Sequence, residues 1–536
     1  MTSTPSAPSC GRACRLTSRS ICVAEGVAEQ IIPPPSRRDW IALLSAILGA
    51  FMAILDIQII NSSLKDIQGA LSATVEEGSW ISTAYLVAEI IIIPLAAWLA
   101  VVMSPRRFAV TMSSLFVIAS LLCSIAWSLE SMIIFRVFQG LAGGALIPFA
   151  FMLILTKLPA RDRPKGMAMF AITAVFAPSI GPTIGGWLTE NYGWEYIFYI
   201  NVVPGLLMIS GLLYGLEKSA PRWELLKQGD YAGIVTMALG LGCLQVFLEE
   251  GHREDWLESR WMVVLAVIAF VSLVSFVILQ LSRDNPLINL RLFKDRNFLF
   301  GSLANIGLGV GLYGTVFVLP VYLAQIQQYN ALQIGQVIMW MGVPQLLIIP
   351  LVPILMRYVD ARFICATGFF LFAFASFFSG SLSLDFAGDQ FIGIQIFRAL
   401  GQPMVLVPMS ILATAMIPPS QAGSASSLYN ILRNLGGAVG IAALATILDS
   451  RAKHYFDFLR EHIVPGNPAV EERLDILTEQ LGDPQSALMM LNNQVHQQAQ
   501  IMAYNDAFHL IGILLACSMV FILLVRPLPK NPPAAP

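Results

Sequence analysis

The chain has 536 residues, of which 56% are hydrophobic and only 12% are charged. Soluble domains carry about 25% charged residues, so this composition excludes an ordinary soluble protein and predicts an all-α polytopic membrane protein. The formal net charge of -2 gives no reason to expect nucleic acid as a partner. The sequence contains no Walker-type phosphate loop, so nothing in it indicates ATP binding.

The first 37 residues are rich in Ser, Ala, Arg and Pro, a composition typical of a disordered tail. Cys10, Cys14 and Cys22 fall in this stretch, with neither a neighbouring histidine nor a second cysteine pair. The spacing therefore predicts no metal site.

Fourteen apolar stretches follow, each long enough to cross a bilayer with about 20 residues. They lie near residues 39–61, 79–101, 107–127, 130–154, 166–190, 195–216, 230–249, 261–281, 298–322, 334–356, 362–382, 390–415, 423–448 and 504–526. We number these predicted spans 1 to 14.

The orientation of the spans follows from the basic residues, which concentrate in cytoplasmic loops. With the N-terminus inside, the cytoplasmic loops hold most of the Lys and Arg residues, and the short outside loops hold only Lys65, Arg253 and Arg260. Both termini are therefore predicted to be cytoplasmic. The long outside loop at about 450–503 also carries basic residues, which long loops tolerate.

Span 5 combines helix-breaking and small residues, namely Pro178, Gly181, Pro182, Gly185 and Gly186. In lipid this segment stays helical, because its backbone groups find no partner outside the helix. Gly181 and Gly185 are four residues apart and share one face, which lets another helix approach closely. The pattern fits either a packing helix with no moving part or a functional contact.

Faint sequence repeats indicate two halves. Span 4 carries Arg136 and Gln139, span 12 carries Arg398 and Gln402, and spans 5 and 13 each hold a Gly-Gly pair. This pairing gives two six-helix halves, spans 1–6 and 9–14, with spans 7 and 8 inserted between them. The predicted boundaries are 1–37 for the cytoplasmic tail, 38–217 for the first half, 218–297 for the inserted spans with their linkers, 298–526 for the second half and 527–536 for the C-terminal tail.

Ionisable residues inside a span cost at least about 2.5 to 3.5 kcal/mol near the membrane centre and are functional candidates by default. Asp56 on span 1 and Arg136 on span 4 lie at similar depths, given a rise of about 1.5 Å per residue. They form either a permanent ion pair that pins helices together or a pair whose acid exchanges protons. Glu89, near the middle of span 2, is either a proton carrier or a protonated glutamate bonded to a neighbouring helix.

Further polar residues are predicted to line a path through the second half. They are Asn305, Gln345, Arg398, Gln402, Asn430 and Arg433. Glu249, Glu250 and His252 lie at the outer end of span 7 and are predicted to form a solvated edge.

The outside loop at about 450–503 contains two stretches with apolar residues at helical spacing. They read A-V-E-E-R-L-D-I-L-T-E-Q-L and S-A-L-M-M-L-N-N-Q-V-H-Q-Q-A-Q. We expect an exposed amphipathic helical hairpin, which is either a lid over the outer mouth or a dock for a partner protein.

Over about residues 38–526 the chain resembles the 14-helix drug:proton antiporter family of the major facilitator superfamily, EmrB/QacA type. The residues that carry the resemblance are Leu55, Asp56 and Asn61 in span 1; Arg136, Gln139, Gly140, Gly143 and Gly144 in span 4; and the G-P-x-x-G-G motif at 181–186 in span 5. Segments 191–205, 292–298 and 427–437 are also similar to the family. The loop W-L-A-V-V-M-S-P-R-R departs from it, because the usual Gly and Asp are missing.

The resemblance implies the major facilitator fold with 14 transmembrane helices and a site between its halves. It further implies a proton-coupled antiporter that exports hydrophobic or amphipathic compounds by alternating access, with a proton gradient and no cofactor. Asp56, Glu89 and Arg136 would serve proton coupling, while Asn61 and Gln139 would join the substrate pathway. The motif in span 5 would form a tight contact that prevents leak.

Within the family the EmrB branch is most similar to this chain, partly through the altered loop and the long final outside loop. That branch implies a Gram-negative inner membrane, an EmrA-like periplasmic adaptor and an outer-membrane channel as partners.

Three alternatives stay open. A dedicated exporter of a single metabolite, such as a siderophore, has the same sequence features. A membrane enzyme would need a clustered catalytic constellation, and none is visible in the sequence. A proton-driven importer is disfavoured by the span 5 motif alone.

Overall fold

The computed structural model describes residues 35–527, apart from 160, 228, 284–285, 419–420 and 465. Within these ranges all regular secondary structure is helical. In the described part of the chain, thirteen helices are long and apolar enough to cross a membrane, and one shorter apolar helix accompanies them. The expectations for the N-terminal tail, including its three cysteines, and for the last nine residues fall outside the described part of the chain.

Fourteen helices of the described residues match the predicted spans, which confirms the all-α polytopic fold. In chain order they are α1 (Arg37–Ala70), α2 (Val75–Met103), α3 (Pro105–Ser124), α4 (Leu129–Lys157), α5 (Arg163–Tyr192), α6 (Tyr196–Gly215), α7 (Tyr231–Glu250), α8 (Arg260–Ser282), α9 (Arg296–Gln325), α10 (Ala331–Ile348), α11 (Ala361–Ser379), α12 (Gly388–Thr414), α13 (Ala422–Glu461) and α14 (Pro484–Leu523).

Three of these helices differ from the predicted spans. The span expected at 334–356 is interrupted after Ile348, and a short helix Leu351–Leu355 follows. Pro350 lies at this break, where a proline cannot donate the next helical hydrogen bond. By contrast, α13 and α14 each run for 40 residues, about 60 Å at 1.5 Å per residue. Both therefore extend well beyond a hydrocarbon core of about 30 Å.

The two helical segments expected in the region at 450–503 are a connecting helix, Pro468–Leu481, and the first part of α14. The extension of α13 as far as Glu461 is an additional helical segment. The connecting helix lies between the two extensions and packs on the first turns of α14. Leu477 of the connecting helix and Ala487 and Leu491 of α14 form a small apolar core of their own. We call these extensions and the connecting helix the hairpin.

Helix α5 is held between α1 and α10, and its small residues explain both contacts. An added Cβ at Gly181 would overlap Gln58 of α1, and one at Gly185 would overlap Ile59 and Ser62. The predicted glycine face therefore contacts α1.

The opposite face of α5 contacts α10 through small residues of the partner helix. There an added Cβ at Gly335 would overlap Thr183, and one at Gly342 would overlap Ser179. The motif region thus joins α5 to a helix of the first six and to a helix of the last six.

A second contact between the first six and the last six helices lies towards the other end of the bundle. Ser426 of α13 donates a hydrogen bond to the carbonyl of Pro148 on α4 (2.9 Å), and Ser427 donates to the carbonyl of Ile93 on α2 (3.2 Å). Helix α7 packs on α2 and on α8. The exact domain boundaries at 217–218 and 297–298 stay a prediction.

We expect Gly185→Ala to lower the stability of the folded protein, because the new methyl group overlaps Ile59 and Ser62. Overpacking of this kind costs about 1–3 kcal/mol. Thermal unfolding of the purified protein in detergent measures the loss. Gly393→Ala is the matched control, since nothing lies within 4 Å of an added Cβ there. Equal melting temperatures for the two variants would contradict a tight α1–α5 contact.

Candidate functional site

A buried polar network joins four helices of the first half around Asp56. Its carboxylate accepts hydrogen bonds from Arg136 (2.6 Å), from Gln139 (2.9 Å) and from Asn201 (2.7 Å). Ser120 of α3 accepts hydrogen bonds from both amides, at 3.0 and 2.9 Å. All five side chains are buried. Both carboxylate oxygens of Asp56 are therefore occupied by donors.

Arg136 is bonded as fully as its partner. Its guanidinium also donates to Gln139 (2.7 Å) and to the backbone carbonyl of Ile81 (3.1 Å), and it lies 4.2 Å from the ring centre of Tyr85. A buried ion pair is stable only when further hydrogen bonds satisfy its remaining atoms, and this pair meets that condition. The ion pair expected from the matching depths is confirmed at 2.6 Å, and its saturation favours a role in pinning helices.

Glycines of α4 bring α2 into this arrangement. An added Cβ at Gly140 would overlap the backbone of Tyr85, and one at Gly144 would overlap the backbone of Glu89. The absence of side chains at these two positions lets α2 lie directly on α4. The close approach positions Tyr85 over Arg136 and sets the depth of Glu89.

Glu89 is buried, with 5% of its surface exposed, and it reaches across to the second half. Its Oε1 accepts a hydrogen bond from Asn434 of α13 (3.3 Å). Its Oε2 is buried without a hydrogen-bond partner among the described residues. A buried polar atom left unpaired costs about 1–3 kcal/mol. Glu89 therefore differs from Asp56: one of its oxygens is free to carry or exchange a proton.

A small cavity of about 40 Å³ lies at the centre of the bundle. Residues from both halves line it: Ile54, Gln58, Ile147, Ala174, Val175, Pro178, Leu312, Tyr313, Val316, Met341, Gln402, Arg433 and Asn434. Drug-sized ligands occupy pockets of about 300–1,000 Å³, so this conformation is too closed to hold one. The halves contact each other near both ends of the cavity, which makes the conformation occluded.

The cavity brings together only some of the predicted pathway residues. Gln402 and Arg433 line it, and Gln345 donates to Gln402 (2.8 Å). Asn430 supports Arg433 by accepting a hydrogen bond from its guanidinium. The others lie elsewhere.

Four predicted pathway residues do not contact the cavity. Gln139 is sealed in the Asp56 network, Asn61 accepts from Ser82, and Asn305 donates to the carbonyl of Tyr429. Arg398 is bonded to Gln395 and to Ser379.

Arg433 is the charged side chain of the cavity wall. Its guanidinium lies 5.9 Å from the ring centre of Tyr429, and no carboxylate lies within 4.0 Å of it in the described ranges. A buried cation without a counter-ion can attract an acidic group of a ligand.

Glu250 corrects one expectation about the outer end of α7. Its carboxylate is buried and accepts hydrogen bonds from Thr83 (2.8 Å) and Ser79 (3.1 Å) of α2. Glu250 therefore fixes α7 to α2 and is not part of a solvated edge. The expectation was wrong because the spacing of residues along α7 does not reveal hydroxyl groups on a neighbouring helix.

Two amides of this site, Asn201 and Asn434, are among the residues that were not singled out in the sequence. Asn201 lies at the break inside α6, and Asn434 lies beside Arg433 on α13. Both fall in segments noted for their family similarity, 191–205 and 427–437. An uncharged amide inside an apolar span was the only signal that could have identified them.

We expect Asp56→Asn to destabilise the fold, because it leaves Arg136 buried without its counter-ion. Removing one partner of a buried ion pair costs about 3–5 kcal/mol. The double variant Asp56→Asn with Arg136→Gln should recover most of that loss, as measured by thermal unfolding in detergent. Lys453→Gln, which breaks an exposed ion pair with Asp449, is the control and should change little. Additive losses in the double variant would contradict a coupled pair.

Comparison with known proteins identifies the family. The family model "Major Facilitator Superfamily" matches residues 46–441. The chain is 34% identical over 486 residues to the colistin resistance protein EmrB of Acinetobacter baumannii, covering 90% of this chain and 95% of that protein. It is 34% identical to the multidrug export protein EmrB of Haemophilus influenzae, covering 89% and 94%. It is 31% identical to the fatty acid resistance protein FarB of Neisseria gonorrhoeae, covering 91% and 94%.

A solved structure supports the fold independently of sequence. The major facilitator proton:xylose symporter XylE aligns with a TM-score of 0.56 over 91% of this chain and 96% of that chain, at 15% identity. The chain therefore belongs to the major facilitator superfamily and, within it, to the EmrB-type drug:proton antiporter family.

Proposed function

We propose that the protein is a proton-coupled antiporter that exports hydrophobic or amphipathic compounds by alternating access. The observation that carries this proposal is Glu89, a buried carboxyl that has one free oxygen and that bonds across to the second half beside the cavity. An acid that can be charged in one state and neutral in another is what a proton-driven carrier needs. The proton gradient is the energy source, with no cofactor, and the protein is not an enzyme.

The cargo site in this proposal is the cavity between the halves. Its lining combines apolar residues with Gln58, Gln402 and Arg433, a combination suited to amphipathic cargo. The occluded conformation stands between an inward-open and an outward-open state, and either opening would enlarge the cavity. The contact of α5 with α1 and α10 serves as the leak-preventing seal on one side.

Asp56 and Arg136 take a supporting part in this mechanism. The saturated bonding of Asp56 favours Glu89 as the residue that exchanges protons, while Asp56 and Arg136 hold α1, α3, α4 and α6 in one rigid group. Asp56 becomes available to protons only if Arg136, Gln139 and Asn201 withdraw.

The protein is proposed to lie in the inner membrane of a Gram-negative cell with both termini in the cytoplasm. The hairpin is then on the periplasmic side, and its exposed apolar side chains, among them Leu488 and Met489, suit contact with an EmrA-like adaptor. That adaptor would pass cargo to an outer-membrane channel.

A dedicated exporter of one metabolite is the second candidate. Arg433, which has no carboxylate partner in the described chain, favours cargo with an acidic group, as siderophores and fatty acids have. The Neisseria relative is named for resistance to fatty acids. Transport of amphipathic acids alone would support this narrower function.

We expect Glu89→Gln to abolish gradient-driven cargo uptake into inverted membrane vesicles, because the variant cannot exchange a proton at this position. The assay imposes a pH gradient and tests lipophilic cations, neutral compounds, fatty acids and siderophores. Glu250→Gln is the matched control, since Glu250 is also a buried carboxyl bonded to a neighbouring helix. That control should keep its uptake.

Full uptake by Glu89→Gln would exclude Glu89 as the residue that exchanges protons. Uptake that does not depend on the gradient in the wild type would contradict proton antiport itself.

We expect the exposed apolar side chains of the hairpin to be needed for contact with the adaptor. Leu488→Glu with Met489→Glu should leave uptake into inverted vesicles unchanged and should remove the protection of whole cells against cargo. Asn493→Glu adds a charge at an exposed position of the same helix and should protect cells normally. Normal protection by the double variant would exclude this surface as the adaptor contact.

A further inference from the structure

Asn434 occupies the only hydrogen-bonded path that joins Glu89 to the cavity wall in the described structure. Its amide Nδ2 donates to Oε1 of Glu89 (3.3 Å), and its Oδ1 accepts from the hydroxyl of Tyr313 on α9 (3.2 Å). Asn434 and Tyr313 both line the cavity. The amide of Asn434 therefore donates to the carboxyl group on α2 through its NH2 group and accepts from the cavity-lining hydroxyl on α9 through its oxygen.

This orientation of the amide gives its strongest hydrogen bond to the ionised form of Glu89, because a bond to a carboxylate is charge-assisted. A carboxylate accepts hydrogen bonds and donates none, so it faces the NH2 group of an asparagine. When Oε2 takes up a proton, Oε1 becomes the carbonyl oxygen of a neutral acid, and the hydrogen bond from Asn434 becomes weaker. Tyr313 keeps the amide in this orientation by donating to its oxygen.

Other charged and titratable groups around Glu89 are fixed in place. Arg136 of α4 and Tyr85 of α2 interact with it electrostatically, as does Tyr313 of α9. Arg136 is bound to Asp56, and the hydroxyl of Tyr85 is bound to the carbonyl of Ala53. Among the described residues, Asn434 is thus the one whose side chain is hydrogen-bonded to Glu89.

We propose that Asn434 is a positioning residue that couples the protonation state of Glu89 to the contact between α2 and α13 at the cavity, through the strength of its hydrogen bond to Oε1. This inference rests on the proposed proton coupling and deepens it. With Glu89 ionised, the strong bond from Asn434 holds α2 of the first half against α13 of the second half. With Glu89 protonated, that bond weakens, and α13 can separate from α2 at the cavity.

The test uses the full-length protein in lipid nanodiscs and the proton alone as the ligand. Site-specific spin labels at the exposed positions Trp127 and Leu384, one in each half, report the distance between the halves by pulsed electron resonance. The wild type should change its distance distribution between about pH 5.5 and about pH 8.5, a range in which a buried carboxyl can titrate. Glu89→Gln should abolish that change.

Asn434→Leu should reduce the pH-dependent change to the level of Glu89→Gln, although Glu89 is still present. Tyr313→Phe removes a single hydroxyl and preserves the ring, so it should keep the fold. It should move the midpoint of the change to higher pH by about half to one unit, the effect of one hydrogen bond that supports the ionised arrangement.

Ser427→Ala is the matched control, because it removes another hydrogen bond between α13 and α2 without touching Glu89. It should leave the midpoint unchanged. Asn434→Leu or Tyr313→Phe with a wild-type midpoint and amplitude would overturn the proposal while leaving proton coupling at Glu89 intact. A wild type that does not respond to pH would overturn both.

Discussion

The structure depends on how each charge buried inside an apolar bundle is compensated. Asp56 and Arg136 neutralise each other and are bonded at every side by Gln139, Asn201 and the carbonyl of Ile81. Removing either partner of such a fully hydrogen-bonded pair lowers the stability of the fold strongly, because the other charge is then buried without a counter-ion. The pair therefore joins the helices of the first half that surround it. Glu89 lies on α2, which packs closely on α4 of this group, and it is bonded to the other half, so its environment changes if the halves separate.

The helices and the Asp56–Arg136 pair could be predicted from the sequence. The contacts between distant helices could not, for one physical reason. Hydropathy identifies the helices because a span in lipid must be long and apolar, and helical rise alone places Asp56 and Arg136 at one depth. The sequence of a helix does not identify which helices, distant along the chain, pack against its polar residues. For this reason Asn201 and Asn434 were missed, and Glu250 was assigned to solvent although α2 supplies two hydroxyls to it. The lengths of α13 and α14 were underestimated for a related reason, since their polar extensions are helical through contacts in the hairpin and not through burial in lipid.

The glycines of α4 and α5 show how backbone contact positions side chains in the absence of a strong hydrophobic drive between helices in lipid. Gly140 and Gly144 admit the backbone of α2 and so fix Tyr85 and Glu89 over the Asp56 network. Gly181 and Gly185 admit α1 and so fix Gln58 at the cavity. In both cases the glycine allows the neighbouring helix to approach closely, and the polar or charged side chain belongs to that neighbouring helix.

The two contacts that close the cavity differ in chemistry, so protonation affects the two ends of the cavity differently. Towards one end, α5 and α10 meet by close packing of Ser179 and Thr183 against glycines, an interaction that no proton can alter. Towards the other end, α13 meets α2 and α4 through hydrogen bonds of Ser426 and Ser427, and Asn434 adds a bond to a titratable carboxyl. A proton on Glu89 can therefore weaken only one of the two contacts. A carrier with a titratable contact on one side and a packed contact on the other can open one side in response to a proton while the other side stays closed, as each step of alternating access requires.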